Sequence, residues 1–217
     1  MESLTFWSKT VVCLYISTSV LPDTVTTLLH LCPHLRKLNL RAGGNSFCHF
    51  QTILSALNDL THLRDLSLDP ALLFGTRYVY LPDAAIFHRL THLDLTTTWT
   101  WEAITTGFHV VPRLTHLSVS WGSSHTSRDS LHKLLSHDKV KLIVIWREGT
   151  ETHNVVIENL LRHKLDDLRI VVLGQVGRSS LQMSGGYWLH AECIIGWHKK
   201  HSSEYHFVYV LKMKLTF

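Results

Sequence analysis

The chain has 217 residues, 45% hydrophobic and 18% charged, a balance that excludes a polar disordered chain. Its net charge is +4, with Lys and Arg scattered along the sequence, so no basic footprint for nucleic acid is expected. No run of 18 apolar residues occurs, so no membrane-spanning helix is expected either.

In chain order, the first element is Val11, Leu14 and Ile16, spaced as L-x-x-L-x-L and read as a short strand. The surrounding apolar run, Val11 to Val20, is long enough for a signal-peptide core. Glu2 precedes it with Lys9, however, and no small-residue cleavage site follows, so the strand reading is preferred. Pro22-Asp23 then opens a helix carrying Val25, Leu28 and Leu29. Leu35, Leu38 and Leu40 repeat the strand spacing, and Phe50, Ile53, Leu54 and Leu57 form a helical stripe. A third strand follows at Leu63, Leu66 and Leu68. Pro70, Gly75 and Pro82 then predict an irregular loop before a short turn at Ala84-Ala85-Ile86-Phe87. Strands four and five are Leu90, Leu93, Leu95 and Leu114, Leu117, Val119. Leu131, Leu134 and Leu135 predict the next helix, with Ser127 or Asp129 as its cap. Val140, Ile143 and Ile145 make strand six. A helix with Val156, Leu160 and Leu161 is expected after the cap Asn154, and Leu165, Leu168 and Ile170 are read as strand seven. Trp188, Leu189, Cys193, Ile194 and Trp197 predict a closing helix between Gly186 and Lys200.

Seven occurrences of one pattern, 24 to 28 residues apart, signal a leucine-rich-repeat solenoid of α/β class. Its expected form is a horseshoe with parallel strands on the concave face and helices or irregular turns on the convex face. One unit cannot bury its own leucines, but stacked neighbours bury each other's. We expect one domain over residues 1–203 and a tail over 204–217, whose alternation of Leu211, Met213 and Leu215 with Lys212 and Lys214 suits a capping edge strand. Of the 17 histidines, those in the phrases His34-Leu35, Thr61-His62-Leu63, Thr91-His92-Leu93 and Thr115-His116-Leu117 are read as repeat wording. Cys13, Cys32, Cys48 and Cys193 form no C-x-x-C pair, and no glycosylation acceptor occurs. Both facts fit a reducing, intracellular compartment, cytoplasmic or nuclear.

Residues between the leucine columns are expected to face outward from the core. Immediately before the second column these are Cys13, Lys37, Asp65, His92, His116, Leu142 and Asp167. Between the second and third columns they are Tyr15, Asn39, Ser67, Asp94, Ser118, Val144 and Arg169. After the third come Ser17, Arg41, Asp69, Thr96, Ser120, Trp146 and Val171. Trp and Arg are enriched at binding hot spots. Trp121, Trp146 and Arg147, with His92, His116, Asp94 and Arg169, are therefore the candidate partner-binding residues. A loop or the C-terminal tail covering Trp146 is the alternative.

No phosphate loop, G-x-S-x-G, H-E-x-x-H or Rossmann pattern is present, and no catalytic residue is assigned. His190-Ala-Glu192 matches half of a zinc-deaminase signature, but the P-C-x-x-C half is missing. His190, Cys193, His198 and His201 lack the spacing of a closed zinc site, so neither metal nor cofactor is expected.

The phrases Leu31-Cys-Pro-His-Leu-Arg-Lys-Leu-Asn-Leu40 and Leu60-Thr-His-Leu-Arg-Asp-Leu-Ser-Leu68 resemble the degenerate leucine-rich repeats of fungal F-box-like proteins. Leu165-Asp-Asp-Leu-Arg-Ile-Val-Val-Leu173, followed by Tyr187-Trp-Leu-His-Ala-Glu-Cys-Ile-Ile195, is similar to the closing strand and helix of basidiomycete members. The resemblance implies a horseshoe that recruits a protein, as the substrate receptor of a cullin-type ubiquitin ligase does. Two features depart from it. No F-box segment is found before the first repeat, and Gly43, Ala71, Thr98, Gly122 and Glu148 stand where the repeat expects Asn. The expected function is a non-enzymatic protein–protein interaction module without a nucleic-acid or membrane partner. The alternatives are a hydrolase using a groove histidine, and a truncated or degenerate member without activity.

Overall fold

In the computed structural model, the residues described are 10–41, 49–70, 81–96, 107–121, 128–147, 167–174 and 186–201. Seven strands form one sheet: β1 Cys13–Ile16, β2 Lys37–Leu40, β3 Asp65–Leu68, β4 His92–Leu95, β5 His116–Trp121, β6 Leu142–Arg147 and β7 Ile170–Leu173. Among the described residues every pairing is parallel, and these seven strands stand in sequence order across the sheet. Helices α1 Pro22–Leu31, α2 Phe50–Asp59, α3 Arg128–Leu135 and α4 Gly186–His201 accompany them, with single 3-10 turns at Phe87–Arg89 and Gly107–Val110.

The register follows the leucine columns through six repeats. Leu14, Leu38, Leu66, Leu93, Leu117 and Ile143 are paired in succession, and so are Ile16, Leu40, Leu68, Leu95, Val119 and Ile145. All but Leu14 of these are buried, and they share one core with Val25 and Leu29 of α1 and Ile53 and Leu57 of α2. Each fully buried Leu or Ile contributes about 1.5–3 kcal/mol. Successive repeats are stitched at the starts of β2 to β6, where two consecutive amides donate to one carbonyl of the preceding repeat. Arg64 and Asp65 donate in this way to the Arg36 carbonyl, and Thr91 and His92 to that of Arg64.

The seventh repeat is displaced from its expected position. Ile143 pairs with Ile170 and Ile145 with Val172, two residues later than the Leu168 and Ile170 of the sequence reading. Leu168 is 41% exposed in a turn, and Leu165 lies outside the described residues. The cause is that β7, Ile170-Val171-Val172-Leu173, is apolar at every position and buried throughout. Its alternation therefore marks no face, and register is weakly written in such a segment.

Helices α1 and α2 begin where expected, α1 with Pro at its first turn. Asp129 lies inside α3 rather than capping it, and Ser127 is outside the described residues. The same is true of residues 71–80 in the irregular loop, of the helix expected after Asn154, and of the tail 204–217.

The closing helix does not cap the end of the leucine core. It lies on the other face of the sheet, where Tyr187, Trp188, Ala191, Ile194 and Ile195 pack on Leu142, Val144, Trp146, Val171 and Leu173. Leu189, Cys193 and Trp197, expected to face inward, are exposed. Apolar residues occur nearly all round this helix, so its periodicity alone does not choose a buried side. Among the described residues, no helix is long and apolar enough to cross a membrane.

Candidate functional site

The face of the sheet opposite the leucines, here the outer face, carries three rows set by the register. The first is Cys13, Lys37, Asp65, His92, His116 and Leu142, and the second Tyr15, Asn39, Ser67, Asp94, Ser118, Val144 and Val171. Along both rows polar residues over the early strands give way to apolar ones over β6 and β7.

Trp146 belongs to the third row, beside Ser120 and Leu173. It is on the outer face, as its position predicts, but it is fully buried rather than presented to a partner. Its indole Nε1 donates to Ser118 Oγ at 2.8 Å, and its ring meets Tyr187 of α4 at 5.5 Å. The expectation of an exposed tryptophan anchor is thus corrected: α4 covers it, because a large aromatic on a strand face is stabilised by burial. Trp121 pairs with Arg147, not with Trp146, so the three do not fall in one row. Only the backbones of Trp121 and Arg147 are described.

Arg169 is also reassigned. The two-residue displacement places it in the turn ahead of β7, and Val171 takes the outward position expected for it. Its guanidinium holds Asp167 at 2.7 and 2.9 Å and donates to the carbonyls of Leu135 (2.6 Å), Val140 (3.1 Å) and His137 (3.2 Å). It thereby satisfies carbonyls at and beyond the end of α3, a structural task. Burial alone would raise the Asp167 carboxyl; the hydrogen bonds and charge of Arg169 outweigh it and hold the group below its usual range.

The two histidines are brought together. His92 and His116 stack with ring centroids 4.1 Å apart and planes 10° from parallel. Trp188 of α4 stands edge-on to both, at 5.4 and 5.6 Å. His116 Nε2 meets Glu192 Oε1 at 3.0 Å, and its Nδ1 meets Thr115 Oγ1 at 2.7 Å, so both ring nitrogens are engaged. His92 Nδ1 similarly meets Thr91 Oγ1 at 2.9 Å. The threonine hydroxyls in turn reach back one repeat, to the carbonyls of Arg64 and Thr91. The repeated Thr-His wording therefore has a physical role here, with threonine stapling the repeats and histidine stacking along the face. Burial, then the neighbouring His116 and Lys37, push His92 down to about 4. Burial also lowers His116, with Lys141 adding to the effect and Glu192 opposing it.

Asp94 is buried rather than presented, and accepts a hydrogen bond from Ser67 Oγ at 2.7 Å. Asp65 faces Lys37 Nζ at 3.4 Å; burial nonetheless pushes its carboxyl up to about 6, against the pull of that ammonium and with help from Asp94. Toward the sheet edge Tyr15 is 41% exposed, and Cys13 is exposed. Among the described residues, no three His, Cys, Asp or Glu side chains group as metal ligands.

The sequence offers Trp188 only as part of a closing helix and Glu192 only within the His190-Ala-Glu192 phrase, and it assigns neither to the site. The available signal was the unbroken apolar run of β6 and β7, which implies cover on both faces. Compared with known proteins, the chain matches no family model and no curated protein.

Proposed function

We propose that the chain is a leucine-rich-repeat protein whose role is to hold another protein, with the docking surface on the outer face of β1 to β3. The observation that carries this reading is the exposed Tyr15 on β1, one strand from the part-buried Lys37–Asp65 pair, on the part of the outer face away from α4. An aromatic anchor flanked by charges that fix orientation is a common composition for a protein-binding patch. His116 stands between the Thr115 hydroxyl and Glu192, but that hydroxyl donates to the Thr91 carbonyl one repeat back and burial disfavours charge on both rings, so this geometry does not favour a groove-histidine hydrolase. The resemblance to F-box-like proteins extends the reading to a substrate receptor of a cullin-type ubiquitin ligase.

Affinity capture with mass spectrometry tests both levels, using wild type and the double variant Tyr15→Ala, Lys37→Glu. The reading expects a protein that wild type captures and the variant loses, while circular dichroism shows both folded. Capture of a cullin adaptor supports the ligase role, and its absence confines the reading to binding alone. Undiminished capture by the variant moves the surface elsewhere, and no capture above background removes the binding role.

A further inference from the structure

Between the sheet and α4 lies a small group of polar side chains whose charge state depends on pH. His92 on β4 and His116 on β5 stack face to face, Trp188 closes over both, and Glu192 one turn along α4 bonds His116. The His116 side chain is only 9% exposed, whereas Glu192 is half exposed. We propose that this stacked pair is an acid-sensitive catch, so that protonation of both rings loosens α4 and uncovers the apolar outer face of β6 and β7.

The groups around the pair set the direction. Glu192 shelters one positive charge, on His116. A second charge on His92, at 4.1 Å, meets repulsion from the first and from Lys37 on β2. Lys141, just ahead of β6, disfavours charge on His116. Asp65 on β3 is the register neighbour of His92; it is paired with Lys37, and Asp94 on β4 is bonded to Ser67. Both imidazoles are held below their ordinary value of 6.5, His92 at about 4. A base with a depressed folded value contributes stability above its unfolded value, here about 6.5, and that stability is lost as pH falls toward about 4. Asp65 has the opposite sign, because its raised carboxyl favours the fold on acidification. Its ion pair is with Lys37 on β2, within the sheet. Docking a sixteen-residue helix is a small difference between burial and lost conformational entropy, so two protonations suffice to shift it.

Hydrogen exchange on the full chain at pH 7.5 and 5.0, corrected for intrinsic exchange rates, tests the proposal. Protection across 186–201 should fall at least about fivefold relative to α1 and α2 on acidification. The double variant His92→Gln, His116→Gln should show no such fall. Glu192→Gln, at an exposed position, should move the loosening to higher pH, since the carboxylate sheltering one charge is gone. Equal protection at both pH values overturns the proposal, as does the same fall in the double-Gln variant. So does simultaneous loss in α1 and α2, which marks global unfolding, or a shift to lower pH in Glu192→Gln.

Discussion

The outer faces of the early and late strands are built to the same register but serve different ends. Over β2 to β4 the second row is Asn39, Ser67 and Asp94; over β6 and β7 it is Val144 and Val171. The early part is held by polar contacts across the strands, Lys37 to Asp65 and Ser67 to Asp94. The late part forms a second apolar core with α4, separate from the leucine core on the opposite face. One repeat pattern thus specifies a sheet, while the residues between its columns decide whether each stretch stays polar or takes a second layer. A strand with one polar face alternates, whereas a strand covered on both sides reads as a continuous apolar run.

Substitutions tell the two regions apart. The largest effect is expected from Leu93→Asp, which puts an unpaired charge into the leucine core shared by all repeats. It should destabilise by about 5 kcal/mol and abolish cooperative thermal unfolding. Trp146→Ala, in the late outer core, should cost about 3–5 kcal/mol in denaturant titration, the range for removing a buried large aromatic. A cost within 0.5 kcal/mol, about that of a surface change, would place that tryptophan outside any core. Arg169→Ala leaves carbonyls of Leu135 and Val140 without their donor and should cost about 2 kcal/mol; Arg169→Lys should recover only part, because an ammonium lacks the planar fork.

On the polar side the effects are smaller and depend on pH. Asp65 is raised from 3.8 to about 6, so its contribution to stability is present below 3.8 and lost as pH rises through 6. Asp65→Asn should therefore raise the unfolding free energy at pH 7.5 by about 1 kcal/mol and bring almost no gain at pH 4. A variant less stable than wild type at pH 7.5 would mean that the Lys37 pair outweighs the burial of the carboxylate.

The sequence makes the leucine face legible because its signal is redundant. Three columns recur in step, and one apolar partner per strand fixes which side is buried. Leu38, Leu66, Leu93 and Leu117 could be placed from spacing alone, and so could the stripes of α1 and α2. Legibility failed where both faces are apolar. In β7 the triplet Leu165, Leu168, Ile170 competes with Ile170 and Val172, and spacing favours the wrong one. In α4 the sequence offers Leu189 and Trp197 as readily as Trp188 and Ile194, and only the sheet beneath selects between them. The stacked histidines were placed on the right face, but their carboxylate partner is 76 residues from His116 and no local pattern announces it. The cover of Trp146 is hidden in the same way, since it comes from a distant helix rather than from an adjoining loop or the tail.

In this fold α4 lies on Trp146 and closes the late outer face. A double-mutant cycle on Trp146 and Tyr187, whose rings lie 5.5 Å apart at 60°, tests it most directly. Unfolding free energies of Trp146→Ala, Tyr187→Ala and the double variant are measured by denaturant titration. A coupling of about 1 kcal/mol between the two sites is expected, as for edge-to-face aromatic pairs in a packed interior. Additive costs, with coupling below about 0.3 kcal/mol, would contradict it and separate α4 from the sheet.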